Sequence, residues 1–460
     1  MARPAVRPAS SEASPPVRRF GPPASRGGRR LTEAQRGLLL QIAAFGLLAS
    51  GWMGVLGPLA PLLFMAAAGG LFALAPERAA ASLLRCWPLL LIGLLACLSA
   101  LWSTAPGVSL RYGAQLAITV GTGIVLAGVL APLPTIRALF LSGLFILILC
   151  LLSGRQGQSQ GGPVLIGIVG SKNAMGALCS QIICSGGVLA ACRAESRLVR
   201  LAAVPVVLLA AYVLMGSFAT GAVLVTLMFA GLICAFCVAS RLPPTTQFAF
   251  VLLLLALLAP LWMVREDLAG YWEYFVVDVL GKDTGLTGRD YLWAHADRMI
   301  AERPLLGYGY RSTWMSGSAD TIGLLRWAGL TDGAGFNFHD SYREWAVDFG
   351  LVGALLVAIV LFRGLFATVL QAIRRQAPLT VMFFAALGVA TMIRGKVELV
   401  LGPFTQGAVL IVAIAAMGYL AAADARRAAG PRTGRTPPLT PRIPASRLPP
   451  DVAPDTRPPA

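Results

Sequence analysis

Long apolar runs separated by short polar connections fill most of the chain from residue 37 onward. Each run approaches the roughly 20 residues that an α-helix needs to cross a bilayer. Only Gly57-Pro58 separates the first two runs, so eleven helices are an alternative to twelve. The pattern therefore predicts an all-α polytopic membrane protein with about twelve transmembrane helices, near 37–56, 58–75, 87–102, 113–131, 138–153, 174–192, 200–216, 219–239, 248–264, 346–366, 378–393 and 403–422.

Polar segments divide these runs into blocks. Residues 1–36 are rich in Arg, Pro, Ala and Ser, and residues 423–460 are rich in Pro and Arg. Neither segment has apolar periodicity, so both are predicted to be disordered tails, and we expect no cleaved signal peptide. Nine transmembrane helices are expected within 37–264 and three within 346–422.

The segment 265–345 is the one long polar insertion. It contains 12 of the 21 acidic residues, eight Arg or Lys and both histidines, so its net charge is −4 while that of the whole chain is +17. Irregular polar chain of this size cannot lie against lipid. The segment is therefore expected to form a water-exposed loop domain on one side of the membrane, between the ninth and tenth helices.

The distribution of arginine predicts the orientation. With both tails in the cytoplasm, the alternate loops on that side carry most of the basic residues, as the positive-inside rule requires. The loop domain then lies outside, in the periplasm if the cell is Gram-negative, and the protein lies in the inner membrane. The loops expected in the cytoplasm carry Arg78, Arg85, Arg137, Arg193, Arg197, Arg200, Arg241, Arg374 and Arg375.

The composition limits the partners, disulfides and cofactors that we expect. Charged residues make up 13% of the chain, against about 25% in soluble domains. The basic excess lies in the tails and short loops, which argues against nucleic acid as a partner. All eight cysteines lie in or beside apolar runs and none lies in the loop domain, so a disulfide framework is not expected. No zinc spacing or nucleotide-binding loop occurs, so we expect neither a metal nor a cofactor.

Several cations fall on the outward side, opposite the favoured one: Arg111, Lys172, Arg394 and Lys396. A cluster of Arg and Lys at the lipid–water boundary suits the binding of a diphosphate. Each side chain alone is also compatible with ordinary interfacial snorkelling.

A helix is predicted to begin at Thr287, as N-cap, and to end near Glu302. Asp290 stands at the third position of this helix, which nearly completes a capping box, and Pro304 follows the predicted end. Arg289 falls in its first turn, where a cation opposes the helix dipole. An anion bound at that N-terminus would remove the conflict. The alternative is a solvated surface arginine.

A second helix start is predicted at Ser341, with Ser341 and Glu344 as a capping box. His339 precedes this start and would lie at the outer mouth of the helix bundle. Histidine is the side chain best suited to take up a proton near neutral pH. The alternatives are a hydrogen-bonded interfacial role for His339 and a structural role for His295.

Five motifs in order resemble the superfamily of O-antigen ligases and Wzy-type polysaccharide polymerases. They are LWSTAPGVSLR (101–111), GSKNAMG (170–176), LTGRDYLW (286–293), ERPLLGYGY (302–310) and FHDSYREWAVDFGLVG (338–353). The long loop between the ninth and tenth helices also matches, and the resemblance covers roughly residues 90–415.

The resemblance implies a membrane-embedded glycosyltransferase of the GT-C type that works without a metal. The donor would be a glycan on undecaprenyl diphosphate. The family's loop arginine corresponds to Arg289 and would hold the diphosphate. Its loop histidine corresponds to His339 and would activate the acceptor hydroxyl.

Two positions depart from the family pattern. His339 is followed by Asp340 where asparagine is usual, and Ser217-Phe218 stands where many ligases have Ser-Arg. Arg394, Lys172 or Arg311 would then supply the missing charge. The candidates for binding diphosphate or substrate are therefore Arg111, Lys172, Arg311, Asp340, Arg394 and Lys396.

These features favour a polymerase that joins lipid-linked repeat units, with lipid-linked glycan as both donor and acceptor, and with polysaccharide export or chain-length proteins as further partners. A ligase acting on lipid A–core is the first alternative. A transporter or flippase of lipid-linked sugar is the alternative from another class. Transporters place ionisable groups near the bilayer midplane, whereas the ionisable groups here concentrate in the outward loop.

Overall fold

The computed structural model describes residues 31–159, 162–263, 287–331, 333 and 335–428. Most of these residues are helical, and seven of the described helices are long and apolar enough to cross a membrane, or eight if one bent pair forms a single span. The membrane-region helices are α1 Glu33–Ser50, α2 Leu59–Leu74, α3 Pro76–Arg85, α4 Trp87–Leu98, α5 Pro106–Val129, α6 Pro132–Ser153, α7 Lys172–Ala191, α8 Arg197–Gly216, α9 Thr220–Ala239 and α10 Pro244–Met263. The loop helices are α11 Thr287–Glu302, α12 Ser312–Met315 and α13 Ala319–Trp327, and the last three are α14 Ser341–Ala372, α15 Leu379–Arg394 and α16 Gln406–Ala428.

Each of the twelve predicted apolar runs overlaps one helix, which confirms a polytopic helical membrane protein; the count of twelve spans stays a prediction. α4 and α15 are apolar but shorter than a full span. Several helices start earlier than their apolar runs because proline occupies the first turn, as at Pro106 and Pro132. The predicted disordered tails lie largely outside the described residues, as does 264–286 at the start of the loop domain.

The helix α3 was not expected from the apolar pattern. It follows α2 after a bend of 101°, and Pro76 occupies its first turn. Ser82 lies so close to Gly128 of α5 that a Cβ at Gly128 would be 2.4 Å from the Ser82 side chain. Arg85, at its other end, forms an ion pair with Asp424 of α16.

The share of buried residues distinguishes the central helices from the peripheral ones. In the most apolar window of α16, 61% of residues are buried, whereas in α8 and α9 the share is 17%. Large apolar side chains on the peripheral helices are exposed, as expected of a surface that faces lipid. Small residues bring the central helices together: Gly418 of α16 lies against the carbonyl of Gly364 in α14.

Contacts between loops fall into two sets. On one side Arg137 pairs with Glu195, and Gln376 N donates to Ser240 O at 3.1 Å. On the other, Trp52 Nε1 donates to Gln406 Oε1 at 2.8 Å. These groupings agree with the alternation that the charges predict, whereas the identity of the cytoplasmic side stays a prediction. A short antiparallel hairpin of β1 Gln156–Ser159 and β2 Gly162–Leu165 precedes α7 and was not expected.

Candidate active site

The described part of the loop domain packs around a small apolar core of its own. Trp293 of α11 also donates from Nε1 to Phe338 O at 3.0 Å, which ties α11 to the segment before α14. The loop helices are therefore packed against the start of α14. The core consists of Leu292, Ala296, Met299, Trp314, Leu324, Phe338 and Val347.

The Gly-Tyr-Gly-Tyr motif has a structural role. Tyr308 N donates to Val347 O at 2.8 Å, and Gly309 N donates to Asp348 O at 2.9 Å. The ring of Tyr310 stacks on Phe349, with centroids 5.4 Å apart. The motif is thus joined by its backbone to the first turns of α14.

A kink in α14 allows this contact between the Gly-Tyr-Gly-Tyr motif and the helix. Gly350 has φ +68° and ψ 177° inside the helix, and Leu351 N donates to Pro304 O at 2.7 Å instead of continuing the helical ladder. A Cβ at Gly350 would lie 2.2 Å from the carbonyl of Leu305. Only glycine fits both the dihedral angles and the close approach.

The segment 101–111 packs against the same loop. Thr104 N donates to Tyr308 O at 3.1 Å, Ser109 Oγ donates to Tyr310 O at 3.0 Å, and Tyr310 N donates to Ser99 Oγ at 2.9 Å. Three of the motifs that carry the family resemblance therefore meet at one place, the first turns of α5 and of α14.

The predicted capping box of α14 is wrong. Asp340 is the N-cap, and its Oδ1 accepts from Tyr342 N at 2.9 Å and from Arg343 N at 3.2 Å. The cap moves back by one residue because a carboxylate is at least as good a cap as a hydroxyl. Ser341 and Glu344 are thereby released for other contacts.

Glu344 fixes the backbone that carries His339. Its Oε2 accepts from Phe338 N at 2.8 Å, and its Oε1 accepts from Trp314 Nε1 at 2.8 Å. Arg311 Nη1 lies 3.5 Å from Oε1. A buried carboxylate with this many donors positions the preceding turn firmly.

Arg311 differs from the surface cation that the sequence suggested. Its side chain is 4% exposed, and its guanidinium donates to Phe336 O at 2.8 Å and to Gly333 O at 3.1 Å. Its backbone N–H donates to Asp348 Oδ1 at 2.9 Å. Arg311 is therefore buried beside Glu344, where its charge compensates that of the carboxylate.

His339 occupies a left-handed turn with φ +53°, and its N–H donates to Asn337 Oδ1 at 2.8 Å. Its side chain is 32% exposed, and Nδ1 lies 3.9 Å from Glu398 Oε2. Nδ1 is buried and has no hydrogen-bond partner within the described residues. The imidazole is therefore oriented with Nδ1 toward Glu398.

Glu398 lies between Arg289 and His339, the two residues that correspond to the family's loop arginine and loop histidine. Its Oε1 lies 3.9 Å from Arg289 Nη2, while its Oε2 faces His339. Burial raises the pKa of the Glu398 carboxyl, but the imidazole of His339 and the charges of Arg394 and Arg289 outweigh burial and hold the pKa below its ordinary value. Glu398 is thus an anion at neutral pH, placed between a cation and a histidine.

The connection from α15 to α16 carries Glu398 and is fastened to α14. Ser341 N donates to Gly395 O at 2.7 Å, and Ser341 Oγ donates to Glu398 O at 2.7 Å. Val400 N in turn donates to Ser341 Oγ at 2.8 Å. The hydroxyl released from capping therefore sets the position of Glu398.

Lys396 extends the positive charge outward. Its side chain is 64% exposed, and Nζ lies 3.7 Å from Asp340 Oδ2 and 5.1 Å from the centre of the Tyr342 ring. Asp340 itself is 1% exposed, and its Oδ2 also accepts from Arg343 Nη1 at 2.8 Å. Asp340 serves as a helix cap and ion-pair partner, which differs from the substrate-binding role suggested by the sequence.

Two further candidates lie at the starts of other helices. Lys172 is the first residue of α7, whose N-cap Ser171 accepts from Ala174 N at 3.1 Å. Arg111 lies near the start of α5, with its guanidinium carbon 5.6 Å from the centre of the Tyr112 ring. The contacts described above join Arg289, His339, Asp340, Arg394 and Lys396 through Glu398 and the cap of α14.

His295 lies apart from this group. Its Nε2 is 2.8 Å from Arg298 Nη2 and 3.7 Å from Asp320 Oδ1. Burial and the charge of Arg298 lower its pKa, against the opposing effect of Asp320. Within the described ranges, no cluster of three His, Cys, Asp or Glu side chains has a metal-binding arrangement.

Sequence reasoning missed Glu398 and Glu344 as members of the site. The available signal for Glu398 was an acidic residue two positions after Lys396 in a short outward connection whose other charges are basic. For Glu344, the signal was its place in a motif that also holds His339, where it was assigned to a capping box.

Much of this chain is similar to known proteins. Residues 205–358 match the family model described as O-Antigen ligase. The chain is 28% identical over 337 residues to the exopolysaccharide production protein ExoQ of Rhizobium meliloti (strain 1021), which covers 73% of this chain and 77% of that protein. Together these matches confirm the resemblance of this membrane protein to the superfamily of O-antigen ligases and polysaccharide polymerases.

Proposed function

We propose that this protein is a membrane glycosyltransferase that polymerises glycan repeat units carried on undecaprenyl diphosphate. Its role in polysaccharide biosynthesis follows from the family and from the ExoQ relative. The observation that carries the proposed chemistry is the placement of Arg289 and His339 on either side of Glu398, at the outer end of α14.

The proposed reaction is a displacement at the anomeric carbon of the donor. The acceptor hydroxyl oxygen forms the new glycosidic bond while the bond from the anomeric carbon to the diphosphate oxygen breaks. The acceptor proton passes to His339 Nε2, since Nδ1 is buried against Glu398. The anionic Glu398 stabilises the imidazolium that forms.

Cations stabilise the leaving diphosphate. Arg289 presents a planar guanidinium that can hold phosphate oxygens in a bidentate manner. Arg394 and the exposed Lys396 add positive charge beside it. Stabilising charge that develops on the leaving group is the largest contribution that a site of this kind can make.

A polymerase is favoured over a ligase by two observations. The ExoQ relative is described as an exopolysaccharide production protein. In addition, Phe218 stands where many ligases carry arginine. The ligase alternative is supported by the description of the family model as O-Antigen ligase.

Deletion of the gene separates these functions. Loss of a polymerase leaves single repeat units on undecaprenyl diphosphate, with secreted polysaccharide lost and lipid A–core unchanged. The measurement is the size distribution of lipid-linked glycan in the deletion strain. Accumulation of full-length polymer on the carrier lipid would identify a ligase. Single units confined to the cytoplasmic leaflet would identify a flippase and contradict the enzyme proposal.

A further inference from the structure

An apolar groove between α14 and α15 opens next to the candidate active site. Its volume is about 1010 Å³, and aromatic and aliphatic side chains dominate its lining. The apolar lining includes Phe362, Phe366 and Val369 of α14 and Val389 and Met392 of α15. Arg363 of α14 also belongs to the lining, and its guanidinium carbon lies 5.5 Å from the centre of the Tyr419 ring. The unbranched methionine side chain adapts to irregular apolar ligands.

The outer end of the groove is cationic. Lys396 and Tyr342 belong to the lining, and the ammonium of Lys396 lies over the Tyr342 ring. The ammonium of Lys396 also lies 3.7 Å from the buried carboxylate of Asp340, which Arg343 and the helix cap share, and Arg394 adds a further cation near this end. An amphiphile with an anionic head and an apolar tail fits this distribution of charge.

The groove ends next to the residues of the candidate active site. Lys396 lies 3.7 Å from Asp340, the neighbour of His339, and it is two residues from Glu398. From Lys396 to Val389 the chain descends about 10 Å along α15. An apolar chain in the groove would therefore keep its head group beside Arg394 and Lys396, within reach of Arg289.

We propose that the groove between α14 and α15 binds the polyprenyl chain of the glycan donor, with Lys396 marking the position of its diphosphate. This inference rests on the proposed function and adds the surface that selects the carrier lipid. The donor is the occupant because its diphosphate is the leaving group and must lie beside the cations that stabilise it.

Photocrosslinking of the full-length protein tests the groove. Phe366→p-benzoylphenylalanine places an aromatic crosslinker in the groove on a side chain that is 63% exposed. Ile359→p-benzoylphenylalanine is the matched control, because Ile359 is exposed on the same helix outside the groove. The probe is undecaprenyl diphosphate in phosphatidylglycerol proteoliposomes, and mass spectrometry identifies the captured molecule.

Phe366→p-benzoylphenylalanine should capture undecaprenyl diphosphate, and excess unlabelled undecaprenyl diphosphate should suppress the capture while excess phosphatidylglycerol should not. The Ile359 control should capture only phosphatidylglycerol. Capture of phosphatidylglycerol alone at Phe366 would mean an ordinary lipid-facing surface and overturn the proposal. Capture of a second copy of the chain would identify a protein interface and also overturn it.

A second pair of variants measures affinity. Val389→Trp fills the groove and should weaken binding of undecaprenyl diphosphate about tenfold or more, whereas Ile359→Trp should leave it unchanged. Unchanged binding in folded Val389→Trp would place the polyprenyl chain elsewhere while leaving the proposed function intact. No binding of undecaprenyl diphosphate by the unmodified protein would instead contradict the proposed function itself.

Discussion

At the scale of single residues, the proposed chemistry depends on Arg289 and His339. His339→Ala removes the proton acceptor and should lower polymer formation by about a hundredfold or more. Arg289→Lys should also be poor, because an ammonium cannot hold two phosphate oxygens as a guanidinium does. Complementation of a deletion strain measures polymer, and immunoblotting of membranes checks protein level. His295→Ala is the control and should keep most activity, since His295 contacts Arg298 and Asp320, away from Glu398.

Glu398 gives a pH-dependent prediction. Its pKa is held below the ordinary carboxyl value, so ionised Glu398 stabilises the folded protein above that ordinary value of about 4.3, and the stabilisation is lost as the pH falls through the lower folded pKa. The difference in thermal stability between the wild type and Glu398→Gln should therefore be present at about pH 5 and shrink in stronger acid, as Glu398 is protonated. A difference that keeps growing in acid well below the ordinary carboxyl pKa would contradict the assigned direction.

The sequence points to Arg289 and His339 as candidates because short motifs that resemble the family surround them. Glu398 could not be linked to His339 from the sequence, because 58 residues separate the two and tertiary contacts, among them those of Ser341, bring them together. Arg311 was misjudged for a related reason. Charge alone does not distinguish an exposed cation from one buried beneath the site against Glu344.

At the scale of helices, the apolar pattern located the elements, and side-chain competition decided their ends. Asp340 and Ser341 were both able to cap α14, and the structure uses the hydroxyl of Ser341 to hold the connection after α15 instead. The kink at Gly350 left no signal in the apolar pattern. It arises from tertiary contact with the segment 304–310, which periodicity does not report.

Gly350→Ala tests the importance of that kink. The new Cβ would lie 2.2 Å from the Leu305 carbonyl at a backbone conformation with φ +68°. Strain of about 1–3 kcal/mol, added to the clash, should lower the thermal stability and the amount of protein in membranes. Gly187→Ala is the matched control, because nothing lies within 4 Å of a Cβ there and Gly187 is inside α7. Equal stability of the two variants would show that the kink is dispensable.

At the scale of the whole molecule, charge alternation and contacts between loops agree. Arg137 pairs with Glu195 among the loops expected in the cytoplasm, and Tyr310 contacts Ser99 among the segments expected outside. The sequence could predict this arrangement because the positive-inside rule acts on each loop separately. It could not predict α3, since an amphipathic helix of ten residues is too short to stand out as a span.

Labelling with a membrane-impermeant maleimide tests the orientation. Arg326→Cys replaces an exposed residue of α13, in the loop domain, and Glu77→Cys replaces an exposed residue at the start of α3, on the side assigned to the cytoplasm. Glu77 is chosen because its removal takes no positive charge from the inner side. In intact spheroplasts Arg326→Cys should react and Glu77→Cys should react only after permeabilisation. The unmodified chain is the background control, because its eight cysteines lie in or beside apolar runs. Reaction of Glu77→Cys before permeabilisation, with protection of Arg326→Cys, would invert the topology and place the proposed chemistry in the cytoplasm.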